Sequence, residues 1–166
     1  MKKFLLILSC ILLSLPLLMA CDRDKGESGN SSVVEKNFST DELAETVRSV
    51  GEWPSMIKVE DNEMAMEFFK LDLENENYGG ISILQTPMSG ALAEIIIINP
   101  SDGQLERAKS DLKERREKLI EVDAFYPSHQ VIAEESIIGD AGGYVYLIVG
   151  TDAVEGEKAL LEKLGE

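Results

Sequence analysis

The sequence contains one histidine, His129, which directly follows Ser128. A serine activated by histidine is a common nucleophile of hydrolases, so this pair is the first candidate for chemistry. Side chains adjacent in sequence rarely face each other, and the chain has no G-x-S-x-G nucleophile elbow. We therefore interpret His129 as a surface or helix-end residue and predict no catalytic residue.

Oxygen-bearing side chains alternate at residues 72–77, and carboxylate and amide oxygens bind Ca²⁺. The segment lacks the central glycine of an EF-hand loop, and Ile83 stands where the bidentate glutamate belongs. A solvated acidic turn is the better interpretation. Two cysteines and one histidine are too few for a four-ligand Cys/His zinc site. Because phosphate-binding glycine motifs are also missing, we predict neither a metal site nor a cofactor.

Paired carboxylates are the third candidate, since two acids flanking a sugar bond form the active site of most glycosidases. With 31 acidic residues, some pair lies at a suitable distance by chance, so the pattern alone does not support this chemistry. We interpret Glu60-Asp61 and Glu134-Glu135 as exposed charge. A small cell-envelope hydrolase using carboxylates remains an alternative function.

The only basic cluster surrounds Arg115 and Arg116. Acidic residues interleave with it at helical spacing, which is typical of a solvated helix face. Arg115 falls on the apolar stripe of the same helix, so it is expected to reach a buried carboxylate or one on a partner. We take Arg115, Arg116 and Tyr126 as the candidate interaction residues.

The amino-acid composition excludes some classes of protein. The chain of 166 residues has a formal charge of −15 and a pI near 4.4, which excludes the usual cationic nucleic-acid binder. A hydrophobic fraction of 44% is typical of a folded protein rather than a disordered one.

The amino terminus has the three parts of an export signal. Lys2 and Lys3 precede an uncharged apolar run over residues 4–18, and a small residue, Ala20, precedes Cys21. Leu18-Met19-Ala20-Cys21 resembles the lipobox of bacterial lipoproteins, which implies cleavage between Ala20 and Cys21 and acylation of Cys21. An uncleaved transmembrane anchor is the alternative, although residues 4–20 are at the short end of the roughly 17–25 residues that span a bilayer.

Cleavage would leave an exported lipoprotein at the outer face of the cytoplasmic membrane, held by the diacylglycerol and palmitate chains on Cys21. Loss of Lys2 and Lys3 changes the formal charge to −17, and one cysteine permits no intramolecular disulfide. We expect residues 1–20 to be the signal peptide and 21–38 the lipidated cysteine with a flexible linker. Residues 39–166 would form a single domain.

Periodicity within this domain predicts alternating helices and hairpins. Ser39 and Glu42 form a capping box that opens the first helix, and Asn62 is expected to cap a short second helix with Met64, Phe68 and Phe69 inward. Residues 56–61 are ambiguous between helical and strand periodicity. Strands are expected at 78–85 and 91–99, and the four isoleucines at 95–98 indicate a strand buried on both faces.

The second half repeats this arrangement. A long helix runs from Ser101-Asp102 to about Val122, and a shorter helix covers residues 129–135. A hairpin pairs residues 135–139 with 144–150 across Asp140-Ala141-Gly142-Gly143, and a final helix covers residues 152–164 with Val154 among its inward residues. The predicted order is α-α-β-β-α-α-β-β-α. We expect an α+β fold with an antiparallel sheet of about four strands from two hairpins, a mixed sheet being the alternative.

Several segments together resemble a known family: residues 91–99, Ala108-Lys109, residues 112–116, Tyr126-Pro127 and residues 143–149. The chain resembles a domain-of-unknown-function family of short lipoproteins from anaerobic Gram-positive bacteria of the Clostridia type. The resemblance covers about residues 40–164 together with the lipobox, and it implies the lipoprotein location and the order of elements. It implies no catalytic residue.

These observations predict a membrane-anchored, extracytoplasmic binding or accessory module without catalytic activity. Its expected partners are membrane lipid, through acylated Cys21, and a protein or small ligand, but not nucleic acid. A structural subunit of a membrane-protein assembly is a further alternative to the hydrolase.

Overall fold

Four consecutive isoleucines at residues 95–98 form the centre of the fold, and all four are fully buried. They belong to strand β3 (Glu94–Pro100), the middle strand of a five-stranded sheet. Because side chains alternate along a strand, Ile95 and Ile97 face one side of the sheet while Ile96 and Ile98 face the other. The prediction of a strand buried on both faces is confirmed. The computed structural model describes residues 38–87 and 90–166.

The other strands are β1 (Ile57–Lys58), β2 (Tyr78–Gln85), β4 (Ile137–Ala141) and β5 (Tyr144–Val149). They are arranged in the order β1-β2-β3-β5-β4, and every neighbouring pair is antiparallel. The α+β class is confirmed. The expected four strands are corrected to five, because β1 adds to the edge of β2 with Ile57 opposite Gln85. Both of its residues are exposed, so no burial pattern marks it in the sequence.

Within the described part of the chain, five helices accompany the sheet: α1 (Thr40–Arg48), α2 (Asn62–Met64), α3 (Leu105–Lys118), α4 (Pro127–Glu134) and α5 (Ala153–Leu164). Two of them continue into one turn of π-helix, α2 through Ala65–Phe69 and α3 through Leu119–Asp123. The observed order is α-β-α-β-β-α-α-β-β-α, so the predicted order lacked the strand between the first two helices.

Local signals account for most helix ends. The Ser39 hydroxyl accepts a hydrogen bond from the Glu42 amide at 3.1 Å, as the capping box predicts. The cap of α2 is Asp61 rather than Asn62, since its carboxylate accepts from the Met64 amide at 2.7 Å. In the β4–β5 hairpin, Gly142 and Gly143 both have positive φ. Because β4 extends to Ala141 and β5 begins at Tyr144, the turn has two residues rather than the four, 140–143, that were expected.

The helices cover the sheet on both sides. On one side, which we call the α1/α5 face, α1 and α5 pack on Ile95, Ile97 and Ile148. On the other, the α3 face, α3, α4 and the two π-helical turns pack on Ile96, Ile98 and Leu147. The core therefore has two layers separated by the sheet.

Four predicted inward residues are exposed instead. Met64 and Phe68 are 39% and 53% exposed, Val122, expected on the apolar stripe of the long helix, is 57% exposed, and Val154 on α5 is 67% exposed. Phe69, which was also expected to face inward on the second helix, is buried. The π-helical turn that begins at Ala65 rotates the residues after it, so α-helical spacing misplaces Phe68.

The proposed signal peptide, the cleavage site at Ala20 and Cys21, and the linker up to residue 37 lie outside the described residues. Within residues 38–87 and 90–166, no helix has the length and apolar character needed to cross a bilayer. The described chain begins at Phe38, whose carbonyl accepts a hydrogen bond from the Tyr144 hydroxyl at 2.5 Å. The chain thus enters the domain on the α1/α5 face.

Candidate binding cleft

A cavity of about 450 Å³ opens on the α3 face, at the end of the sheet where β2 connects to β3. Its walls come from four separate segments: the β2–β3 connection, the two π-helical turns with the residues beside them, and the first turn of α4. Its size is within the usual range of ligand pockets. We call it the cleft.

The floor of the cleft contains a buried ion pair between Arg115 of α3 and Glu94 of β3. Arg115 Nε donates to Glu94 Oε1 at 2.9 Å, and Nη2 donates to Oε2 at 2.6 Å. The side chains are only 5% and 4% exposed. This two-point pairing fixes the guanidinium plane and occupies both carboxylate oxygens of Glu94.

Arg115 also ties the two π-helical turns to the sheet. Its Nη1 atom donates to Asp123 Oδ2 at 2.6 Å and to the Phe68 carbonyl at 3.1 Å. The guanidinium carbon lies 4.8 Å from the centre of the Phe69 ring, at cation–π distance. The Arg115 side chain therefore links β3 to both π-helical turns.

Electrostatics at the floor favour the charged arginine. Burial alone would lower the pKa of Arg115, but the paired charges of Glu94 and Asp123 and their hydrogen bonds raise it above its ordinary value. Both carboxylates are therefore paired with a permanent cation.

The rim of the cleft is apolar and exposed. Phe125, Tyr126 and Phe68 are 85%, 54% and 53% exposed, and Met64 is 39% exposed. Large apolar side chains left in water next to a cavity are typical of binding surfaces. The Lys118 ammonium lies beside this rim, since it donates to the Phe68 carbonyl at 2.6 Å.

The π-helical turns explain how these side chains reach the rim. In each turn a backbone amide donates to the carbonyl five residues earlier, rather than four as in an α-helix. Lys70 N–H donates to the Ala65 carbonyl, and Ala124 N–H donates to the Leu119 carbonyl. Lys70 then adopts a left-handed conformation with φ of 62°. Isolated π-helical turns are frequent at functional sites, and here two of them flank one cavity.

The structure separates the three candidate interaction residues. Arg115 lies at the floor of the cleft and reaches a buried carboxylate, and Tyr126 lies at its rim. Arg116 is not among the lining residues: its guanidinium donates to Ser136 Oγ at 2.9 Å and to the Glu134 carbonyl at 2.6 Å. It caps the end of α4 and has a structural role there.

His129 sits in the first turn of α4, so its expected helix-end position is correct, but it is 8% exposed rather than on the surface. Its ring packs edge-on against Tyr126, with the ring centres 5.1 Å apart. It lines the cleft. Ser128 is exposed.

The acidic segment at residues 72–77 is a turn. Asp72 accepts hydrogen bonds from the Asn62 side chain and the Glu74 amide, both at 3.0 Å, and Asn75 accepts from the Asn77 amide at the same distance. Among the described residues no three potential ligands gather closely enough to hold a metal ion.

Glu94 and Asp123 were missed by reasoning from the sequence. Glu94 had a visible signal, since it is the only charged residue within the apolar segment 91–99. Asp123 had no such signal, because the sequence of the helix that it ends shows no break in its helical pattern. The cleft itself joins segments far apart in the chain and leaves no local pattern.

Comparison with known sequences gives one finding. Neither a curated protein nor a solved structure matches the chain. A model for a domain of unknown function, DUF4358, matches residues 50–150, a shorter range than the residues 40–164 expected from the resemblance. This range includes every described residue that lines the cleft and excludes α1 and α5. Because the match covers more than half of the 166 residues, the chain belongs to the DUF4358 family.

Proposed function

We propose that this protein is an exported, membrane-anchored binding module that takes its ligand in the cleft on the α3 face. Acylation of Cys21 would hold it at the outer face of the cytoplasmic membrane. Residues 22–37 would form a tether spanning on the order of 20–25 Å. The domain would bind without catalysing a reaction.

One observation carries the choice of binding over catalysis: the cleft combines an exposed apolar rim with charges that are already paired at its floor. Phe125 is 85% exposed beside a cavity of about 450 Å³, so a ligand that covers it gains free energy from apolar burial. A carboxylate hydrolase needs two acids free to donate and accept protons. Glu94 and Asp123 are instead both bonded to Arg115.

Site-specific photocrosslinking tests the cleft as the binding site. A photoreactive amino acid is placed at Phe125 in the full chain, and at Val154 as the control, because Val154 is 67% exposed but belongs to α5 on the other face. In membranes of producing bacteria, we expect discrete adducts from position 125 that position 154 does not form. The same adducts from both positions, or none from position 125, would contradict the proposal.

Metabolic labelling with fatty acid tests the anchor separately. Replacing Cys21 by Ser should abolish labelling and release the protein from membranes. Cys10→Ser is the matched control, because it removes the other cysteine and should leave both labelling and membrane association unchanged. Labelling that survives Cys21→Ser would show that this cysteine is not the anchor.

A further inference from the structure

We propose that the occupant of the cleft is a basic, apolar segment of a partner protein, in which large apolar side chains lie next to lysine or arginine. This inference rests on the proposed function and adds the chemistry of the ligand. It follows from two features of the described residues: the apolar rim and the sign of the exposed charge in the cleft.

The apolar part of the ligand follows from the rim. Phe68, Phe125 and Tyr126 each leave half or more of the side chain in water. Aromatic side chains bury a large apolar area at low entropic cost, and their faces also attract cations. A ligand with apolar and cationic groups side by side can use both properties of the same rings.

The charge of the ligand follows from Asp123. Of the charged side chains that line the cleft among the described residues, Glu94 and Arg115 are about 5% exposed, whereas Asp123 is 34% exposed. The charge that a ligand meets is therefore negative. An incoming ammonium or guanidinium can approach this carboxylate, while an anionic ligand finds no exposed cation on the described lining.

The rest of the chain adds to this preference. The formal charge of −15 becomes more negative when the proposed signal peptide is removed. A field of that sign attracts basic segments over distances of about 8–10 Å at ordinary ionic strength and repels acidic ones.

Calorimetric titration with defined peptides tests the proposal on the mature chain carrying Cys21→Ser. The first peptide has two phenylalanines, one leucine and three lysines; the second replaces lysine by glutamate; the third replaces the apolar residues by serine. We expect the basic apolar peptide to bind at least tenfold more tightly than either control peptide. Its affinity should fall as salt rises from 50 to 500 mM.

Two variants assign the binding to the cleft. Asp123→Asn removes the exposed charge but keeps an oxygen for Arg115, and it should weaken binding of the basic apolar peptide about three- to fivefold. Asp102→Asn is the matched control, since it removes one exposed charge beyond the other end of β3 and should change nothing. Phe125→Ser should weaken binding about tenfold or more.

The outcomes separate this inference from the function on which it rests. Equal binding of the acidic apolar peptide, still lost in Phe125→Ser, would overturn the charge of the ligand and leave the cleft as the site. Tighter Phe125-dependent binding to vesicles with anionic lipid than to the peptide would make the membrane the occupant. A Phe125-dependent dimer in sedimentation would make it a second copy. Absence of binding to the basic apolar peptide would overturn the inference, while crosslinking from position 125 would still support the function.

Discussion

The two faces of the sheet bury similar aliphatic side chains, yet the helices cover them differently. On the α1/α5 face the two helices pack closely: a Cβ at Gly156 of α5 would lie 2.7 Å from Val47 Cγ1 of α1. On the α3 face, two helices end in π-helical turns and leave a cavity of about 450 Å³ between them. The same sheet therefore supports one closed face and one open face.

The ion pairs compared between the two faces differ in how much of their side chains is exposed to water. Those beside the α1/α5 face, Lys58–Asp41 and Lys163–Glu42, have side chains 36–52% exposed, and exposed pairs contribute little to stability. The Arg115–Glu94 pair on the α3 face is about 5% exposed. A buried pair is costly to desolvate and is rarely the most stable choice for a core. Its place at the floor of the cleft indicates that it maintains the shape of the site.

The part of the chain that matches the family model differs between the two faces. Residues 50–150 include the whole sheet and the described lining of the cleft, whereas α1 and α5 lie outside the match. The open face is thus the part of the domain that the family model describes. The comparison between the faces leads to four predictions, given from the largest expected effect on stability to the smallest.

The largest effect is expected for Arg115→Met. The substitution keeps an apolar stem of similar length but leaves Glu94 buried without a counter-ion, which typically costs about 3–5 kcal/mol in the free energy of unfolding. Urea denaturation measures this cost. Arg48→Met is the control, because Arg48 pairs with Glu45 on the surface and should cost less than about 1 kcal/mol. Equal costs for the two variants would mean that the buried pair does not set the open face apart.

Gly156→Ala is expected to have an intermediate effect. In an exposed helix interior this change stabilises by about 1 kcal/mol. Here a Cβ would lie 2.7 Å from Val47 Cγ1 and 3.2 Å from Trp53 Cζ2, so we expect a net loss of about 1–3 kcal/mol. Gly90→Ala in the β2–β3 connection is the control, since a Cβ at that position would meet no atom beyond its chain neighbours within 4 Å. Stabilisation by Gly156→Ala would show that the α1/α5 face is not tightly closed.

A pH dependence should be common to both faces. Burial and a hydrogen bond to Asp111 raise the pKa of Tyr78 on the α3 face, and burial and Glu157 raise that of Tyr146 on the α1/α5 face. Since unfolded tyrosine ionises near pH 10, the unfolded chain loses these protons first and stability falls as pH rises above about 10. Tyr78→Phe and Tyr146→Phe should each reduce that fall, measured by urea denaturation at pH 8 and 10.5. An unchanged fall in both variants would refute the assignment.

Local patterns in the sequence were sufficient for four of the five strands of the sheet. The isoleucines at 95–98 and the pair Gly142-Gly143 act through rules that involve neighbouring residues alone, so β3 and the position of the β4–β5 turn were predictable. Strand β1 was not, because its two exposed residues are strand only by pairing with β2. Its hydrogen bonds depend on a segment about 27 residues away in the chain.

The π-helical turns account for the main errors at the cleft. Val122, expected on the apolar stripe of α3, is 57% exposed for the same reason as Phe68: each follows the start of a π-helical turn that rotates it outward. The stripe did indicate that Arg115 needs a carboxylate. It could not indicate Glu94, because the partner is 21 residues away and is fixed only when α3 packs on the sheet.

The smallest effect on stability is expected for Phe125→Ser, and it separates the two faces most directly. Phe125 is 85% exposed and Val154 is 67% exposed, so replacing either by serine should change the free energy of unfolding by less than about 0.5 kcal/mol. Of these two residues, only Phe125 lines the cleft. Binding of a fluorescent hydrophobic dye should therefore fall in Phe125→Ser and stay unchanged in Val154→Ser. If both variants lose dye equally, exposed apolar area alone determines dye binding, and the open face has no special affinity. If only Phe125→Ser loses it while stability is retained, the aromatic rim is maintained for a ligand and not for the fold.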